Sequence, residues 1–204
     1  MGKGLQLLIA LISLPILCFA QEKWQLIKNE DGIRVYTRRL DNEKFKEVKA
    51  EFELDGTEDQ LIAILQNISH QKEWSYGTKK AYLISKKNKD TLIYYSEVKL
   101  PWPLSNRDLV IELSFKKDTA NKVLYIQAKS IPGILPDKPN LVRVPFSLAS
   151  WDVKTMPNRL LKIQYTFSTN PGGDLPSWLV NFAASVGPYN SFQKLKEIIV
   201  KGNQ

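Results

Sequence analysis

Residues 171–200 read PGGDLPSWLVNFAASVGPYNSFQKLKEIIV, and the fold turns on what this stretch becomes. Pro171, Gly172 and Gly173 end whatever strand precedes them. Asp174 fits a helix N-cap, and Pro176 falls in the first helical turn, where a missing N–H costs little. Leu175, Leu179, Phe182, Val186 and Tyr189 then recur at helical spacing, and Trp178, Phe192, Leu195 and Ile199 widen the stripe. The pattern predicts a helix over 175–199, about 36 Å long at 1.5 Å per residue. Its apolar face is too broad to be left in water. Gly187-Pro188 interrupts it midway, and Pro188 cannot donate to residue 184.

Something concave must hold that helix, and upstream the chain supplies mostly strands. Residues 24–40 end in one: after an Asp31-Gly32 turn, Ile33, Val35 and Thr37 alternate with Arg34, Tyr36 and Arg38. Phe45–Leu54 follows with the same period and completes a hairpin. Thr57 with Gln60 fits a capping box before a helix over 58–68, and a short second helix over 70–75 carries Trp74. Strands are expected at 79–86, 91–99, 107–116, 123–130, 141–153 and 159–169, separated by turns rich in Lys, Asn and Asp. Short connections make the sheet antiparallel, with one polar face and one face packed on the helices. The fold class is therefore α+β. A curved sheet around one long helix leaves a gap where an apolar ligand can sit.

The first twenty residues have the layout of a secretory leader: Lys3, the apolar run Leu5–Leu17, then Cys18-Phe19-Ala20. The run is too short for a spanning helix, and Pro15 interrupts it. Residues 1–20 are thus expected to be a signal peptide of bacterial type, and 21–204 one exported domain, periplasmic or secreted. Cleavage would remove the only cysteine and lower the formal charge from +8 to +7. About 184 residues suffice for one sizeable core. A basic exported chain meets anionic lipid surfaces more readily than nucleic acid, and the lysines of the turns at 86–89 and 116–117 could make that contact transiently. With one histidine, His70, and no mature cysteine, neither a nucleophile–base triad nor a metal site has its material. Carboxylate pairs such as Asp55/Glu58 and Asp41/Glu43 sit in turns. No catalytic residue, metal or cofactor is expected, and the domain is expected to be a monomer.

Five motifs in order carry a family resemblance: Trp24 with Asp31–Tyr36, the Glu73-Trp74 helix end, PWPLSNRD at 101–108, Val142-Arg143 leading to Trp151, and GDLPSWLVN at 173–181. Together they resemble the START domain, the lipid-transfer module of the helix-grip (Bet v 1-like) superfamily, over essentially the whole mature chain. The resemblance implies a curved antiparallel sheet gripping the C-terminal helix around an apolar tunnel, with that helix and a hairpin loop as lid. It also implies binding, and possibly transfer, of a lipid or other apolar molecule. Sterol-binding members carry a second arginine farther along the strand that follows the PWP run. The matching position here, near Leu113, is apolar, which speaks against a sterol.

Period-two alternation places Arg107, Leu109, Ile111, Leu113 and Phe115 on the inward face. A buried arginine calls for a carboxylate, and Glu97, with Tyr95 beside it, is the expected partner. Val144 and Phe146, then Ile163, Tyr165 and Phe167, line the next strands. With Trp74 and the helix residues Leu179, Phe182, Val186 and Tyr189, these are the candidate cavity residues. The rival reading is an envelope enzyme with cyclase- or aromatase-like acid–base chemistry, for which Glu97 and Arg107 are the only titratable candidates.

Overall fold

A computed structural model describes residues 23–39 and 45–202. The expected leader and the Asp41/Glu43 pair lie outside these residues. Asp31 and Gly32 both take left-handed φ values, 50° and 72°, a turn whose twist matches paired strands. It joins β1 (Gln25–Glu30) to β2 (Ile33–Arg38). The stretch read as one strand thus holds two. β1 forms the sheet edge and is exposed along most of its length, so it lacks the alternation that betrays a half-buried strand. β2 pairs with β3 (Glu47–Asp55) as expected.

The capping box at Thr57 forms: the Gln60 N–H donates to Thr57 Oγ1 and the Thr57 N–H to Gln60 Oε1 at 2.9 Å. It opens α1 (Glu58–Gln66), followed by a 3-10 turn at Ile68–His70 and the single turn α2 (Gln71–Trp74). His70 sits exposed against Glu73 at 2.6 Å, an ordinary surface pair. The strands β4 (Thr78–Asn88), β5 (Thr91–Val98), β6 (Asn106–Asp118) and β7 (Val123–Ser130) come next. The run expected at 141–153 splits at Val144-Pro145 into β8 (Leu141–Arg143) and β9 (Phe146–Met156), since Pro145 has no N–H for a ladder. β10 (Leu160–Asn170) completes a 10-stranded sheet in the order β1-β2-β3-β10-β9-β7-β6-β5-β4. It is antiparallel except for β8, which lies parallel to the start of β6.

The sheet curves around α3 (Ser177–Lys201). The helix begins after Pro176, not at Asp174: the residue before a proline is pushed out of the helical region, so Leu175 stays outside the helix, and extended Pro176 is its N-cap. Pro188 lies inside the helix, which continues unbroken past it. Phe192 anchors the interior. Its ring stacks on Phe52 at 4.4 Å and meets Trp151 and Tyr165 edge-on at 5.2 and 5.0 Å. Tyr189, Leu195 and Ile199 join the same core from one helix face, with Val35, Ala50, Leu113, Ile126, Val153 and Ile163 among their partners. The outer sheet face is not uniformly polar, contrary to expectation. Ile93, Tyr95 and Val110 form a second small cluster there, with Tyr82, Ile84, Ile131 and Leu135 packed on it.

Candidate functional site

The strand register decides which side chains face α3. Across the antiparallel ladders, Leu92 opposes Leu113, Tyr94 opposes Ile111, Ser96 opposes Leu109 and Val98 opposes Arg107. Directly opposed residues share a face. Leu109, Ile111 and Leu113 therefore look inward, as the alternation requires. On β10, Ile163, Tyr165 and Phe167 look inward beside Val153, Trp151 and Ala149 of β9. Ile111, Ala128, Tyr165 and Phe167 stay half-buried where they meet the core, whereas Leu109 and Leu113 are buried.

The same register overturns the expected Glu97–Arg107 pair. Glu97 opposes Asp108, and Tyr95 opposes Val110, so both Glu97 and Tyr95 lie on the outer face, one residue out of phase with Arg107. Glu97 instead accepts from Lys79 and Asn106, both at 2.9 Å. Its partial burial works to raise the carboxyl pKa, but those hydrogen bonds and the Lys79 charge hold it below the ordinary value. Tyr95 packs under Lys138, whose ammonium sits 3.6 Å from the ring centroid, and burial raises its phenol pKa. Phe146 also drops out of the inward set. On β9 the inward residues are the odd-numbered ones, in phase with Trp151, and Phe146 is exposed on the other side. The break at Pro145 shifts the phase that a continuous strand would have kept.

Arg107 is only 5% exposed on the inward side, and among the described residues no carboxylate meets it. Its guanidinium donates to main-chain carbonyls: Ser105 O at 2.5 Å, Gly172 O at 3.1 Å and Pro171 O at 3.4 Å. Burial without an anion lowers its pKa. This arginine ties the loop at 100–105 to the Pro171–Gly173 segment that leads into α3. Gly172 and Gly173 hold φ values of 68° and 63° there, and a Cβ on Gly172 would stand 3.1 Å from the Arg143 carbonyl oxygen. The acid–base pair on which the enzymatic reading rested is thus not formed.

The buried ion pair of this region lies on the other face. Asp108, 1% exposed, accepts from Arg143 Nε at 2.7 Å and Nη2 at 3.0 Å. Arg143 also donates to the Leu135 and Pro136 carbonyls, and its bond to Asp108 raises its pKa. Parallel β8 brings the two together, a pairing that local alternation gives no sign of. Val144 is buried beside this joint and donates its N–H to the Asp108 carbonyl.

On α3, Tyr189 is buried and its hydroxyl donates to Asp31 Oδ2 at 2.6 Å, which raises its pKa to about 12. Leu179 and Val186 are half-buried. Phe182 is 60% exposed and Trp178 71% exposed. Trp102, in the loop tied down by Arg107, is 92% exposed. The basic turns lie elsewhere: β5 starts at the 88–91 turn and ends at this loop, so they occupy opposite ends of the sheet. Lys87 pairs with Glu112, and Lys117 with Asp59.

Trp74 packs against the core from α2 with its indole nitrogen buried and unpartnered. Sequence reasoning missed two neighbours. Gln71 is 8% exposed, and its Nε2 donates to Tyr94 Oη at 3.1 Å. Burial pushes the Tyr94 phenol up to about 12 and raises that of Tyr165 as well. Counting in steps of two from Leu92 would have found Tyr94; Gln71 carries no such signal.

Residues 14–200 match the START domain family. The human phosphatidylcholine transfer protein is 32% identical over 174 residues, covering 82% of this chain and 79% of its own. An uncharacterized protein of Pseudomonas aeruginosa is 27% identical over 180 residues, with 88% of each chain covered. Among solved structures, the STAR-related lipid transfer protein of Xanthomonas axonopodis is 25% identical and superposes with a TM-score of 0.80, covering 86% of this chain and 98% of its own. The fold is shared with human StAR-related lipid transfer protein 5, at a TM-score of 0.78 and 16% identity over 91% of this chain and 89% of its own.

Proposed function

The chain belongs to the START domain family, and on that premise we propose that it binds one lipid between the sheet and the N-terminal half of α3, and carries it between membranes. The observation that supports this reading most is the uneven burial of the inward face. Tyr165 lies deep enough for burial to raise its pKa, yet it stays half-buried in accessibility, as do Phe167, Ile111 and Ala128 around it. Apolar side chains that are surrounded by protein but keep accessible surface border unfilled space, and such a space is a binding site for an apolar molecule. The named relatives in other organisms are lipid transfer proteins, which favours this reading over acid–base chemistry.

The lipid would enter at the end of the sheet where Trp102 and Trp178 stand exposed. Tryptophan suits the boundary between water and hydrocarbon. This end, rather than the basic turns, would touch the membrane. An exported, monomeric carrier working at the bacterial envelope fits the leader-like first twenty residues. Native mass spectrometry of protein purified from its host, followed by extraction, should find one lipid per chain. A protein that leaves every vesicle preparation empty-handed would end the proposal.

A further inference from the structure

The inward side carries polar atoms as well as apolar ones, and among the described residues three of them, on Thr37, Gln71 and Trp74, are buried without a partner; the last two lie together on α2. Gln71 Oε1, an acceptor, and Trp74 Nε1–H, a donor, are both buried without a hydrogen bond. Turning the Gln71 amide over would only exchange which of its ends is left alone. Leaving such groups unpaired in an apolar interior costs about 1–3 kcal/mol each. Gln71 and Trp74 are three residues apart, one helical turn, so they project from neighbouring positions of α2. Gln71 holds the Tyr94 hydroxyl, and Tyr94 adds to the burial that raises the Tyr165 pKa. Three polar tips, those of Gln71, Trp74 and Tyr94, therefore gather inside the core.

Among the described residues, no charged side chain shares this buried space; Lys72, Glu73 and Lys194 line the open hollow on the solvent side of Trp74. The inward positions of β2, β3, β5, β7, β9 and β10, read from the register, are apolar, aromatic or hydroxyl-bearing. The inward cation of β6 near this space is Arg107, which sits four residues from Ile111, the cross-strand partner of Tyr94. At about 3.3 Å per residue that is roughly 13 Å away, and Arg107 already binds three carbonyls. A phosphate or carboxylate placed among Gln71, Trp74, Tyr94 and Tyr165 would be a buried charge without a counter-ion.

We infer that this cluster receives an uncharged hydroxyl group of the cargo, and that the protein selects hydroxyl-bearing neutral lipids such as diacylglycerols over phospholipids. A hydroxyl is a small uncharged group that both donates and accepts. It can donate to Gln71 Oε1 and accept from Trp74 Nε1–H, satisfying both orphans. The inference rests on the lipid-binding reading above and narrows it to a chemical class.

The test offers the whole protein vesicles containing dioleoylglycerol, its methyl ether, dioleoylphosphatidylcholine and dioleoylphosphatidylglycerol, then identifies bound lipid by native mass spectrometry. Dioleoylglycerol should be captured at least tenfold over either phospholipid and over the methyl ether, which cannot donate. Gln71→Met removes the acceptor that only the alcohol can use, and should erase most of the preference for the alcohol over its ether. Trp74→Phe removes the donor that alcohol and ether share, and should lower capture of both. Far-UV circular dichroism of each variant checks that it is folded. Preference for a phospholipid, or a preference for the alcohol that survives Gln71→Met, overturns the inference and leaves lipid binding standing. Failure to capture any of the four lipids overturns the broader reading instead.

Discussion

The two halves of α3 are built on different terms. From Tyr189 onward the helix is packed: Phe192, Leu195 and Ile199 are buried in one continuous core, and Phe192 touches three aromatic rings. Before Pro188 the same helix shows Trp178 and Phe182 to solvent, with Leu179 and Val186 only half-buried. Both halves are rich in aromatic and aliphatic residues, although the charged ones, Lys194, Lys196, Glu197 and Lys201, all fall in the second. The packing beneath them differs as well. The C-terminal half meets the β1–β2 turn and β3 through Tyr189–Asp31 and Phe192–Phe52, whereas the other half reaches the start of β3 where the Lys46 N–H donates to Asn181 Oδ1 at 3.3 Å. A long apolar helix can thus be a structural post at one end and a movable cover at the other.

Substitutions should expose this asymmetry. Phe192→Ala removes a ring from the packed half and should cost about 3–5 kcal/mol in denaturant unfolding. Phe182→Ala, an equal deletion in the exposed half, should stay within about 0.5 kcal/mol. Comparable losses for the two would erase the distinction. Arg143→Ala should also cost about 3–5 kcal/mol, because it strands the Asp108 carboxylate at 1% exposure.

Arg107→Ala should cost less, about 1.5–3 kcal/mol, since it leaves carbonyls rather than a carboxylate unpaired. Its larger consequence should be kinetic: release of the Pro171–Gly173 segment should speed exchange of a fluorescent lipid between vesicles. Unchanged exchange would mean that this segment does not hold the cover down.

Alkaline pH should attack the packed half from inside. Tyr94 has its pKa raised from 10.0 to about 12 by burial, so its contribution is present below pH 10 and is lost as pH rises through the folded value. Tyr165, edge-on to Phe192, moves in the same direction. Stability should therefore fall between pH 10 and 12, and Tyr94→Phe should flatten that fall; an identical profile for the variant would remove Tyr94 from the account. The smallest effect on stability belongs to Trp178→Ser, within about 0.5 kcal/mol, yet it should weaken vesicle binding in a flotation assay.

Much of this was readable in the sequence, for physical reasons that differ by element. The capping box at Thr57, the Asp31-Gly32 turn and the second half of the α3 stripe, from Tyr189 to Ile199, are local patterns that survive folding, whereas Trp178 and Phe182 of the same stripe lie exposed. Inward positions on β6 and β10 followed from strict alternation. Tyr95, Glu97 and Phe146 were misplaced because alternation gives relative phase along one strand, whereas facing between strands depends on register. One residue of slip moves a side chain to the opposite face. The Glu97–Arg107 pair failed for that reason, and Phe146 because Pro145 resets the phase. Asp108–Arg143 and Gln71–Tyr94 join residues 35 and 23 positions apart, and only the assembled sheet brings them together.

Pro188 has a mechanical consequence. Trp178 lies ten residues before it, a lever of about 15 Å at 1.5 Å per residue. A swing of about 20° at the proline, within the range of proline kinks, lifts the far end by about 5 Å. That clearance is about the width of one hydrocarbon chain. Under the proposed carrier role, a two-tailed lipid would pass edge-on, one chain behind the other, and its time aboard would be set by a single joint rather than by unfolding of the core.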